Sequence, residues 1–323
     1  MQYQKLGKSG AYVSKLCLGT MNFGMLTPED ECFRIMDTAL DFGINFFDTS
    51  NSYGGYSSRG LTECIIGKWF HQSRKREQVF LGDKVYHLSE QIFGNPNDDK
   101  GLSAYKIRHH IEDSLRRLQT DHIDLYQMHH IDRKVSWCEI WNEFDRLYNS
   151  GKIIYTGSSN FSAFDLAICH SYAEKTNRLG LISEQHRYNL CCRLPELEVI
   201  PACRRANIGF LVWGPLNEGK LCQNPYRNFS GTRSSHNSFS ISEKIKIDAY
   251  LNFCKAENID PSQLALAWLL RNPDVTSVII GPRTCSQLIS CVNAFNIDID
   301  NYIHTLNELF PGVGGEAPEV YAW

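Results

Sequence analysis

Eight short apolar segments recur along the chain, and segments with the spacing of amphipathic helices lie between them. Runs that are nearly continuous in apolar and β-favouring residues are typical of parallel strands covered on both faces. Eight strands, each followed by a helix, in 323 residues predict a (β/α)8 TIM barrel of the α/β class. The fingerprint G-x-G-x-x-G is missing after the first strand, which argues against an open doubly wound sheet. The eight segments are KLCLGT, INFFDT, QVFLGDK, IDLYQMH, KIIYTGSS, GLISEQ, IGFLVWG and SVIIG.

Capping residues mark several of the expected helix boundaries. Thr27, followed by Pro28 and two acidic residues, predicts an N-cap with a proline in the first turn. Asp260 and the proline after it repeat this signal. Gly43 predicts the end of the first helix, because glycine readily adopts the left-handed conformation found there.

Two connections are too long and polar to be simple turns: residues 87–101 after the third strand and 217–240 after the seventh. Catalysis in barrel enzymes occurs at the C-terminal face, so we expect both to be extended loops that cover substrate or cofactor there. The plainer alternative is that they are tolerated surface insertions. The tail 309–323 is rich in Gly and Pro with aromatic ends, and we expect it to lie across the mouth of the barrel.

The composition predicts one domain over residues 1–323, because no linker rich in Pro, Gly or Ser divides the chain. With 42% hydrophobic and 21% charged residues the chain can bury a substantial core, which excludes disordered and fibrous classes. A formal charge of −3 gives no general attraction to nucleic acid or to an anionic membrane. No apolar stretch resembles a signal peptide or a membrane span, so we expect a cytoplasmic protein.

The twelve cysteines are scattered through the expected helices and strands without the spacing of a metal site. We therefore expect reduced, mostly buried thiols and no bound metal. The adjacent Cys191 and Cys192 suggest the alternative of a metal ligand pair or a strained redox pair, but no CxxC partner lies near them.

Four polar residues stand at or just past the ends of three separate apolar segments: Asp48, Tyr53, Lys84 and His129. Reduction of a carbonyl requires a hydride donor, a proton donor for the oxygen and stabilisation of the developing alkoxide. A tyrosine with a pKa of about 10 holds its proton too tightly at neutral pH, and an adjacent ammonium such as Lys84 lowers that pKa. Asp48 can keep the ammonium charged, and His129 can donate a hydrogen bond to the carbonyl oxygen.

Each of these four residues alone has a structural explanation, as a cap, a loop aromatic, a strand end or a core histidine. Together, at the ends of the second, third and fourth strands, they predict an active site.

The segments that carry these residues, in this order, resemble the aldo-keto reductase family. The resemblance rests on INFFDTSNSYG, VFLGDK and IDLYQMHH, and it extends from the opening YQKLGKSGAYVSKLCLGTMNFG to the closing PEVYAW. It implies a TIM barrel with an N-terminal hairpin and extended loops at the C-terminal face. It also implies that the chain reduces a small-molecule aldehyde or ketone with NADPH, with Tyr53 as the proton donor.

The resemblance assigns the cofactor to further segments of the chain. Family members hold the nicotinamide amide with a Ser-Asn pair and a Gln, which Ser159, Asn160 and Gln185 match. They stack an aromatic residue on the nicotinamide ring, which Trp213 matches. The other positions expected around NADPH/NADP are Gly19, Thr20, Gly214, Leu216, Gly219, Gly281, Arg283, Thr284 and Gln287.

The choice between NADPH and NADH depends on Arg283. A guanidinium there can bind a 2′-phosphate through two hydrogen bonds, which favours NADPH. Family members often carry an acidic residue and Asn where this chain has Ser290 and Cys291. We therefore expect looser recognition of adenine and a weaker preference for NADPH.

The substrate prediction depends on the side chains expected around the cleft. A mixed aromatic and polar lining suits sugars as well as aromatic aldehydes. The segments MHHID and PGVGGEAPEVYAW resemble the subgroup of the family that includes reductases of nucleotide-linked keto-deoxysugars. The expected lining residues are Met21, Phe23, Tyr56, Tyr86, His87 and Trp323.

Two other functions remain open from the sequence. Members of the same superfamily serve as cofactor-binding regulatory or channel-associated subunits with little turnover, so the barrel is alternatively an interaction module. A barrel hydrolase that uses metal-bound water is a third class, but the sequence shows no clustered His/Asp ligand set for it. The sequence does not fix the oligomeric state, and a homo-oligomer is compatible with each function.

Overall fold

The protein forms a closed barrel of eight parallel strands, which confirms the predicted (β/α)8 fold. The structure is a computed structural model that describes residues 1–55, 58–88, 97, 100–224 and 239–322. Its strands are Tyr3–Lys5 (β1), Tyr12–Ser14 (β2), Leu16–Gly19 (β3), Phe46–Asp48 (β4), Phe80–Val85 (β5), Ile123–Met128 (β6), Ile153–Ser159 (β7), Leu181–Arg187 (β8), Gly209–Trp213 (β9) and Val275–Ile280 (β10). Strands β3 to β10 follow one another around the barrel, and β10 pairs with β3 to close it. Each of the eight apolar segments overlaps one of these barrel strands, and β5, β8 and β10 extend one or two residues beyond theirs.

Helices cover the outside of the barrel and connect its strands. They are Glu29–Asp41 (α1), Leu61–Ser73 (α2), Ala104–Leu118 (α3), Trp137–Asn149 (α4), Ala163–Lys175 (α5), Val199–Ala206 (α6), Ile241–Ala256 (α7), Pro261–Arg271 (α8), Cys285–Asn293 (α9), Ile303–Leu309 (α10) and Glu319–Ala322 (α11). Within the described ranges, every helix is too short or too polar to cross a membrane.

Two of the three capping predictions are confirmed. Gly43 follows the end of α1 with a φ of +78°, and its N–H closes the last turn. The Asp260 carboxylate accepts hydrogen bonds from two backbone N–H groups in the first turn of α8, at 2.8 and 3.1 Å. The prediction for α1 is wrong by one residue, since Pro28 occupies the N-cap in an extended conformation. Thr27 does not cap the helix because its hydroxyl donates to the carbonyl oxygen of Arg283.

An N-terminal hairpin of β1 and β2 precedes the barrel, as the resemblance implies. Leu6 and Val13 from this hairpin are buried against the apolar layer inside the barrel. A Cβ on Gly7 would lie 2.4 Å from the Ile182 carbonyl oxygen, so the hairpin backbone contacts the start of β8 directly. The hairpin therefore closes the N-terminal end of the barrel. The other buried side chains of this layer are Cys17, Phe46, Leu125, Ile182, Leu211 and Ile279.

The larger core lies between the strands and the surrounding helices. Its largest side chains include Trp69 of α2 and Trp141 of α4, both almost fully buried. Helices α2 and α3 approach closely at Gly67, where a Cβ would lie 2.1 Å from the Arg117 carbonyl oxygen. Only glycine allows this approach, because a side chain there would force the two helices apart.

Side chains at the C-terminal ends of the strands alternate between the barrel interior and the helices, as the pleat of a strand requires. The inward-pointing polar residues of β5, β6 and β8 are Lys84, Gln127 and Gln185, which all bind Asp48. The residue before each of them points towards the helices and is also buried; these residues are Asp83, Tyr126 and Glu184. The barrel wall thus has a polar layer on both of its faces at this level.

The predicted covering loops fall largely on residues 89–96, 98–99 and 225–238, which lie outside the described residues. All twelve cysteines lie within the described ranges as free thiols, including Cys191 and Cys192. Among the residues that the structure describes, no group of three or more His, Cys, Asp or Glu side chains is arranged to hold a metal ion.

Candidate active site

A buried ion pair joins β4 and β5 at the C-terminal end of the barrel. Lys84 Nζ lies 2.5 Å from Asp48 Oδ2, and the side chains are 0% and 3% exposed. The same ammonium donates to the carbonyl oxygen of Thr49 at 2.9 Å and to the Tyr53 hydroxyl at 3.4 Å. Three of the four predicted catalytic residues are therefore in direct contact. The register of the parallel strands causes this arrangement, because Asp48 pairs with Gly82, two residues before Lys84.

Opposing effects act on the charge of Lys84. Burial alone would lower the pKa of this lysine, because a low-dielectric environment disfavours its ammonium. The negative charge of Asp48, with hydrogen bonds to Asp48 and Tyr53, outweighs burial and raises the pKa above its usual value. Lys84 therefore stays an ammonium beside the Tyr53 hydroxyl at neutral pH.

Two glutamine amides hold the second oxygen of Asp48. Gln185 Nε2 donates to Asp48 Oδ1 at 2.9 Å, and Gln127 Nε2 donates to the same atom at 3.1 Å. Gln185 also donates to Gln127 Oε1 at 3.3 Å, so both N–H bonds of its amide are used. Among the side-chain atoms of Gln185, Oε1 is then left available to the NH2 group of a nicotinamide amide. Sequence reasoning missed Gln127. This polar residue of the segment IDLYQM lies two positions before His129.

Tyr53 is carried by a loop that the backbone fixes at both ends. The Tyr53 N–H donates to the Ser50 carbonyl oxygen at 3.1 Å, and the Gly60 N–H donates to the Tyr53 carbonyl oxygen at 2.9 Å. Gly54 adopts a φ of +119°, and a Cβ there would lie 2.4 Å from the Ser58 carbonyl oxygen. A tight turn that only glycine can make therefore places the phenol over the ammonium, whose nitrogen is 5.1 Å from the ring centroid.

His129, the fourth predicted catalytic residue, follows directly after β6. Its backbone N–H donates to the Val85 carbonyl oxygen at 2.9 Å, and its Nδ1 lies 3.3 Å from Ser50 Oγ. The imidazole meets the Tyr53 ring edge-on, with 6.1 Å between ring centroids. The structure thus brings His129 beside Tyr53. Ser50 was not predicted, and its position in the polar run after β4 is the only sequence signal for it.

The rings of His87 and His130 also pack against the imidazole of His129. His87 meets it edge-on at 4.8 Å, and His130 stacks on it with ring planes 10° apart. Neighbouring residues of a strand point to opposite faces, but His129 and His130 stack because β6 ends at Met128 and the alternation ends with it. Burial and nearby positive groups lower the pKa of His87 to about 4, and burial also lowers the pKa of His130. Both imidazoles are therefore neutral at neutral pH.

The residues expected at the nicotinamide amide lie beside this cluster. Ser159 Oγ and the Asn160 N–H both donate to the Gln185 carbonyl oxygen, at 2.9 and 3.0 Å. Asn160 has a φ of +61°, a conformation that asparagine tolerates better than most residues. Its amide accepts from Trp213 Nε1 at 3.1 Å and donates to the His129 carbonyl oxygen at 3.2 Å. Asn160 thus connects Trp213 to the segment that carries His129.

Trp213 ends β9, with its indole partly exposed and its inner edge against the apolar layer of the barrel. The chain then turns through Gly214, with a φ of +64°, and Leu216, whose carbonyl oxygen accepts from Gly219 at 3.0 Å. At Gly219 a Cβ would have no heavy atom of the described residues within 4 Å, so the backbone is open on that side within the part of the chain that the structure describes. These residues form a shallow rim next to the indole.

The expected adenosine end lies at the start of α9. Thr284 caps this helix by accepting from the Gln287 N–H at 3.2 Å, and Gln287 Oε1 accepts from the Arg283 N–H at 2.8 Å. This reciprocal pair fixes the backbone of the half-buried Arg283. Burial lowers the pKa of Arg283 from its usual value, so an anionic partner would favour its charged form.

The two departures from the family pattern at α9 face other parts of the protein. Ser290 accepts a hydrogen bond from Gln263 Nε2 at 3.1 Å, and Cys291 is buried under the helix. Neither side chain therefore contributes an acidic or amide group to the surface near Arg283.

Three further positions expected around the cofactor have structural contacts. The Thr20 hydroxyl donates to the Asp48 carbonyl oxygen at 2.9 Å and is fully buried, so it supports the strand that carries Asp48. A Cβ at Gly19 would lie 2.6 Å from Ile279 Cγ2, and the Gly281 carbonyl oxygen accepts from Asn22 at 2.8 Å. All three lie at the rim where β3 and β10 end.

The expected substrate residues lie in different environments in the structure. Met21 is partly exposed at the rim, and Tyr86 packs edge-on against His87 and His130, at 5.3 Å from each. Phe23 is not available to a substrate, because it is 0% exposed and packs in the core under α1 and α2. Its carbonyl oxygen accepts from Thr62 at 3.2 Å, which turns this segment inward. Tyr56 and Trp323 lie outside the described residues.

The similarity to known proteins extends over the whole barrel. The model of the family described as "Aldo/keto reductase family" matches residues 15–306. The chain is 49% identical to a Bacillus subtilis protein named as an uncharacterized oxidoreductase, YrpG, and the match covers 100% of both chains. It is 31% identical to a putative aryl-alcohol dehydrogenase of Schizosaccharomyces pombe, over 92% of each chain. It is also 32% identical to a putative voltage-gated potassium channel subunit beta of that yeast, over 90% of this chain and 87% of the relative.

Proposed function

The chain belongs to the aldo/keto reductase family, and from this premise we propose that it is an NADPH-dependent carbonyl reductase in which Tyr53 donates the proton. One observation carries the proposal: Lys84 Nζ lies within hydrogen-bond distance of both the Asp48 carboxylate and the Tyr53 hydroxyl. The ammonium stabilises the phenolate that remains when Tyr53 gives up its proton. The carboxylate holds that ammonium in place within a barrel interior where an unpaired charge would be costly.

His129 positions the carbonyl group in this proposal. When Ser50 Oγ donates to Nδ1, the ring proton is on Nε2, and that N–H can donate to the carbonyl oxygen. The oxygen would then be held between His129 and Tyr53. Two donors directed at one oxygen stabilise the negative charge that develops as the carbonyl is reduced.

The residues around Trp213 fit a nicotinamide dinucleotide. The partly exposed indole offers a flat apolar surface for the nicotinamide ring, and the side-chain Oε1 of Gln185 can accept a hydrogen bond from the nicotinamide amide. The open backbone at Gly219 can approach a pyrophosphate, and the start of α9 with Arg283 can receive a 2′-phosphate. When bound, NADPH supplies the hydride.

The proposed substrate is an aromatic aldehyde or ketone, or a nucleotide-linked keto-deoxysugar. The neutral imidazoles of His87 and His130, with Tyr86, form an aromatic wall with polar edges beside His129. Such a wall can stack on an aryl ring or on the apolar face of a sugar, and a relative is named as a putative aryl-alcohol dehydrogenase.

A turnover assay with the purified protein tests this function. NADPH absorbance should fall when the protein is mixed with at least one of three carbonyl classes: aromatic aldehydes, diketones and nucleotide-linked keto sugars. The rate should depend on both the carbonyl and the protein concentration. If the protein bound NADPH tightly but none of the three carbonyl classes caused NADPH oxidation, that result would argue against a reductase.

Arg283→Ala should weaken NADPH binding selectively. A charge-assisted hydrogen bond contributes about 1.5–3 kcal/mol, so we expect the Kd for NADPH to rise by about 10- to 100-fold. The Kd for NADH, which lacks the 2′-phosphate, should stay within about 2-fold of its original value. Fluorescence titration with both nucleotides measures the two constants. Arg271→Ala is the matched control, because that arginine pairs with Asp300 on the surface. If Arg283→Ala weakened the binding of NADPH and NADH equally, the proposed contact between Arg283 and the 2′-phosphate would be wrong.

A second candidate function is a cofactor-binding regulatory subunit, supported by the relative named as a putative voltage-gated potassium channel subunit beta. This role predicts tight NADPH binding, very slow turnover and a stable homo-oligomer. Light scattering combined with the turnover assay separates the candidates, because a reductase turns over whatever its oligomeric state. Rapid turnover by a monomer would exclude the regulatory role.

A further inference from the structure

A second group of buried charges lies on the opposite face of the barrel wall from Lys84. Asp83 of β5 points outward to Glu63 of α2 and Arg117 of α3, and the Tyr126 hydroxyl lies among the same elements. We call these four residues the outer acid cluster. Glu63, Asp83 and Tyr126 are 0% exposed, and Arg117 is 5% exposed. None of the four belongs to the active site described above.

The charges of the outer acid cluster do not balance if both carboxyl groups are ionised. Arg117 Nε donates to Glu63 Oε2 at 2.7 Å, so one guanidinium faces two carboxyl groups. Lys84 cannot supply the second positive charge, because its ammonium is on the inner face with Asp48. An uncompensated carboxylate buried in this way would be strongly destabilising.

The hydrogen bonds of the cluster are also incomplete when both groups are carboxylates, which can only accept. Both oxygens of Asp83, Glu63 Oε1 and the Tyr126 hydroxyl then have no hydrogen-bond partner of good geometry in the described part of the chain. The two carboxyl groups nevertheless face each other, because the Asp83 side chain acts on the pKa of Glu63 as a hydrogen-bond partner. One proton between them would therefore supply the missing donor.

We propose that Asp83 is a neutral carboxylic acid in the folded protein and donates its O–H to Glu63 Oε1, and that the cluster positions Lys84 and Tyr53. Glu63 remains the anion because it directly holds the Arg117 guanidinium. Burial and the adjacent charge of Glu63 hold the pKa of Asp83 well above its usual range. Burial also raises the pKa of Glu63, but Arg117 acts in the opposite direction.

Two contacts connect the cluster to the active site. Asp83 directly precedes Lys84, so its hydrogen bond to α2 fixes the rotation of β5 at that point. The Arg117 side chain lies against Gly60, where a Cβ would come within 2.7 Å of Nε, and the Gly60 N–H holds the Tyr53 carbonyl oxygen. The outer acid cluster thus supports both β5, which carries Lys84, and the loop that carries Tyr53. These two segments set the distance between the ammonium and the phenol. The positioning role rests on the proposed function, whereas the protonation of Asp83 does not.

Infrared spectroscopy of the whole protein tests the protonation directly. The wild-type spectrum at neutral pH should contain the C=O band of a buried carboxylic acid that is lost in Asp83→Asn. Asp121→Asn is the matched control, because that carboxylate is 94% exposed, and it should leave the band unchanged. An unchanged acid band in Asp83→Asn would overturn the assignment of the proton to Asp83.

The pH dependence of stability gives an independent test with a definite sign. An unfolded Asp has a pKa of about 3.9, so between that pH and the raised folded pKa the folded state binds one proton more. The unfolding free energy of the wild type should therefore fall, relative to that of Asp83→Asn, as pH rises above about 4. Titrating groups around Asp83 are Glu63, Arg117, Tyr126 and Lys84, and all four are retained in the variant. A wild type that instead gains stability with pH would mean that Asp83 is ionised.

The positioning role is tested by comparing Asp83→Asn with Asp83→Ala. The asparagine amide can replace the donated hydrogen bond, so this variant should keep kcat within about 3-fold. The alanine variant should lose more than about 10-fold in kcat with an unchanged Kd for NADPH.

The ultraviolet titration of Tyr53, isolated as the difference between the wild type and Tyr53→Phe, tests the same role and does not require turnover. Its midpoint should move to higher pH in Asp83→Ala only. An unmoved midpoint would overturn the positioning role even if no carbonyl is reduced. If Asp83→Ala does not fold, a shifted midpoint or reduced kcat in Asp83→Asn would overturn it.

Discussion

Tyr53→Phe is expected to lower kcat for carbonyl reduction by about 10²- to 10⁴-fold, the range in which a positioned general acid contributes. The substitution removes one oxygen atom and keeps the ring that contacts His129 and the Lys84 ammonium. The proton donor is therefore lost without a change in the shape of the cleft. The Kd for NADPH should stay within about 2-fold, because the residues proposed to hold the cofactor are on other strands. Steady-state kinetics and a fluorescence titration measure the two quantities.

Tyr12→Phe is the control for this experiment. Tyr12 is exposed on the N-terminal hairpin, at the opposite end of the barrel, and its variant should retain wild-type kcat. If Tyr53→Phe kept wild-type turnover, another group would have to supply the proton. If it instead lost NADPH binding along with activity, the phenol would serve cofactor binding and the proposed division of roles would be wrong.

The fold could be predicted because a parallel barrel leaves a strong signal in the sequence. Strands covered on both faces must be apolar on both, so each appears as a continuous run rather than an alternating one. The closing order needs no further information, since consecutive strands of such a barrel are neighbours. The N-cap predicted at Thr27 was wrong for a physical reason. A side chain with a competing long-range partner, here the Arg283 carbonyl oxygen, can leave a local capping signal unused.

The arrangement of the candidate site could be predicted only where strand ends define it. Asp48 and Lys84 meet because parallel strands place their C-terminal ends on one face, and their chemistry was visible in the residue types. Gln127 was missed because one glutamine in an apolar strand does not reveal which carboxylate it will bind. Phe23 was misplaced for a related reason. An aromatic residue after the first strand can turn outward to a cleft or inward to the core, and the Thr62 hydrogen bond that turns it inward comes from a distant helix.

The outer acid cluster was invisible to sequence reasoning. Glu63 and Arg117 belong to different helices and Asp83 to a strand, so their charges appear in the sequence as ordinary surface residues. Only the close approach of α2 and α3 at Gly67 brings them behind the barrel wall. Buried polar groups far apart in the chain depend on tertiary packing, for which local periodicity carries no information.

Lys84→Met is expected to reduce the unfolding free energy by about 3–5 kcal/mol, because it leaves the Asp48 carboxylate buried without its partner. Methionine matches the length of the lysine stem, so the loss reflects the missing charge more than a cavity. Urea denaturation at neutral pH measures the change. Lys68→Met is the matched control, since that lysine pairs with Glu29 at 2.8 Å with both side chains at least 40% exposed. An exposed ion pair contributes up to about 1 kcal/mol, so the control should lose no more than that.

The double variant Asp48→Asn with Lys84→Met separates the structural role of the ion pair from its catalytic role. Removing both charges removes the unpaired carboxylate, and the introduced asparagine amide keeps an oxygen that Gln127 and Gln185 can still bind. Most of the lost stability should therefore return. Activity should not, because no ammonium remains beside Tyr53 to stabilise the phenolate. A double variant as unstable as Lys84→Met would show that the lysine acts mainly by packing, and one that regained turnover would show that Tyr53 needs no cation.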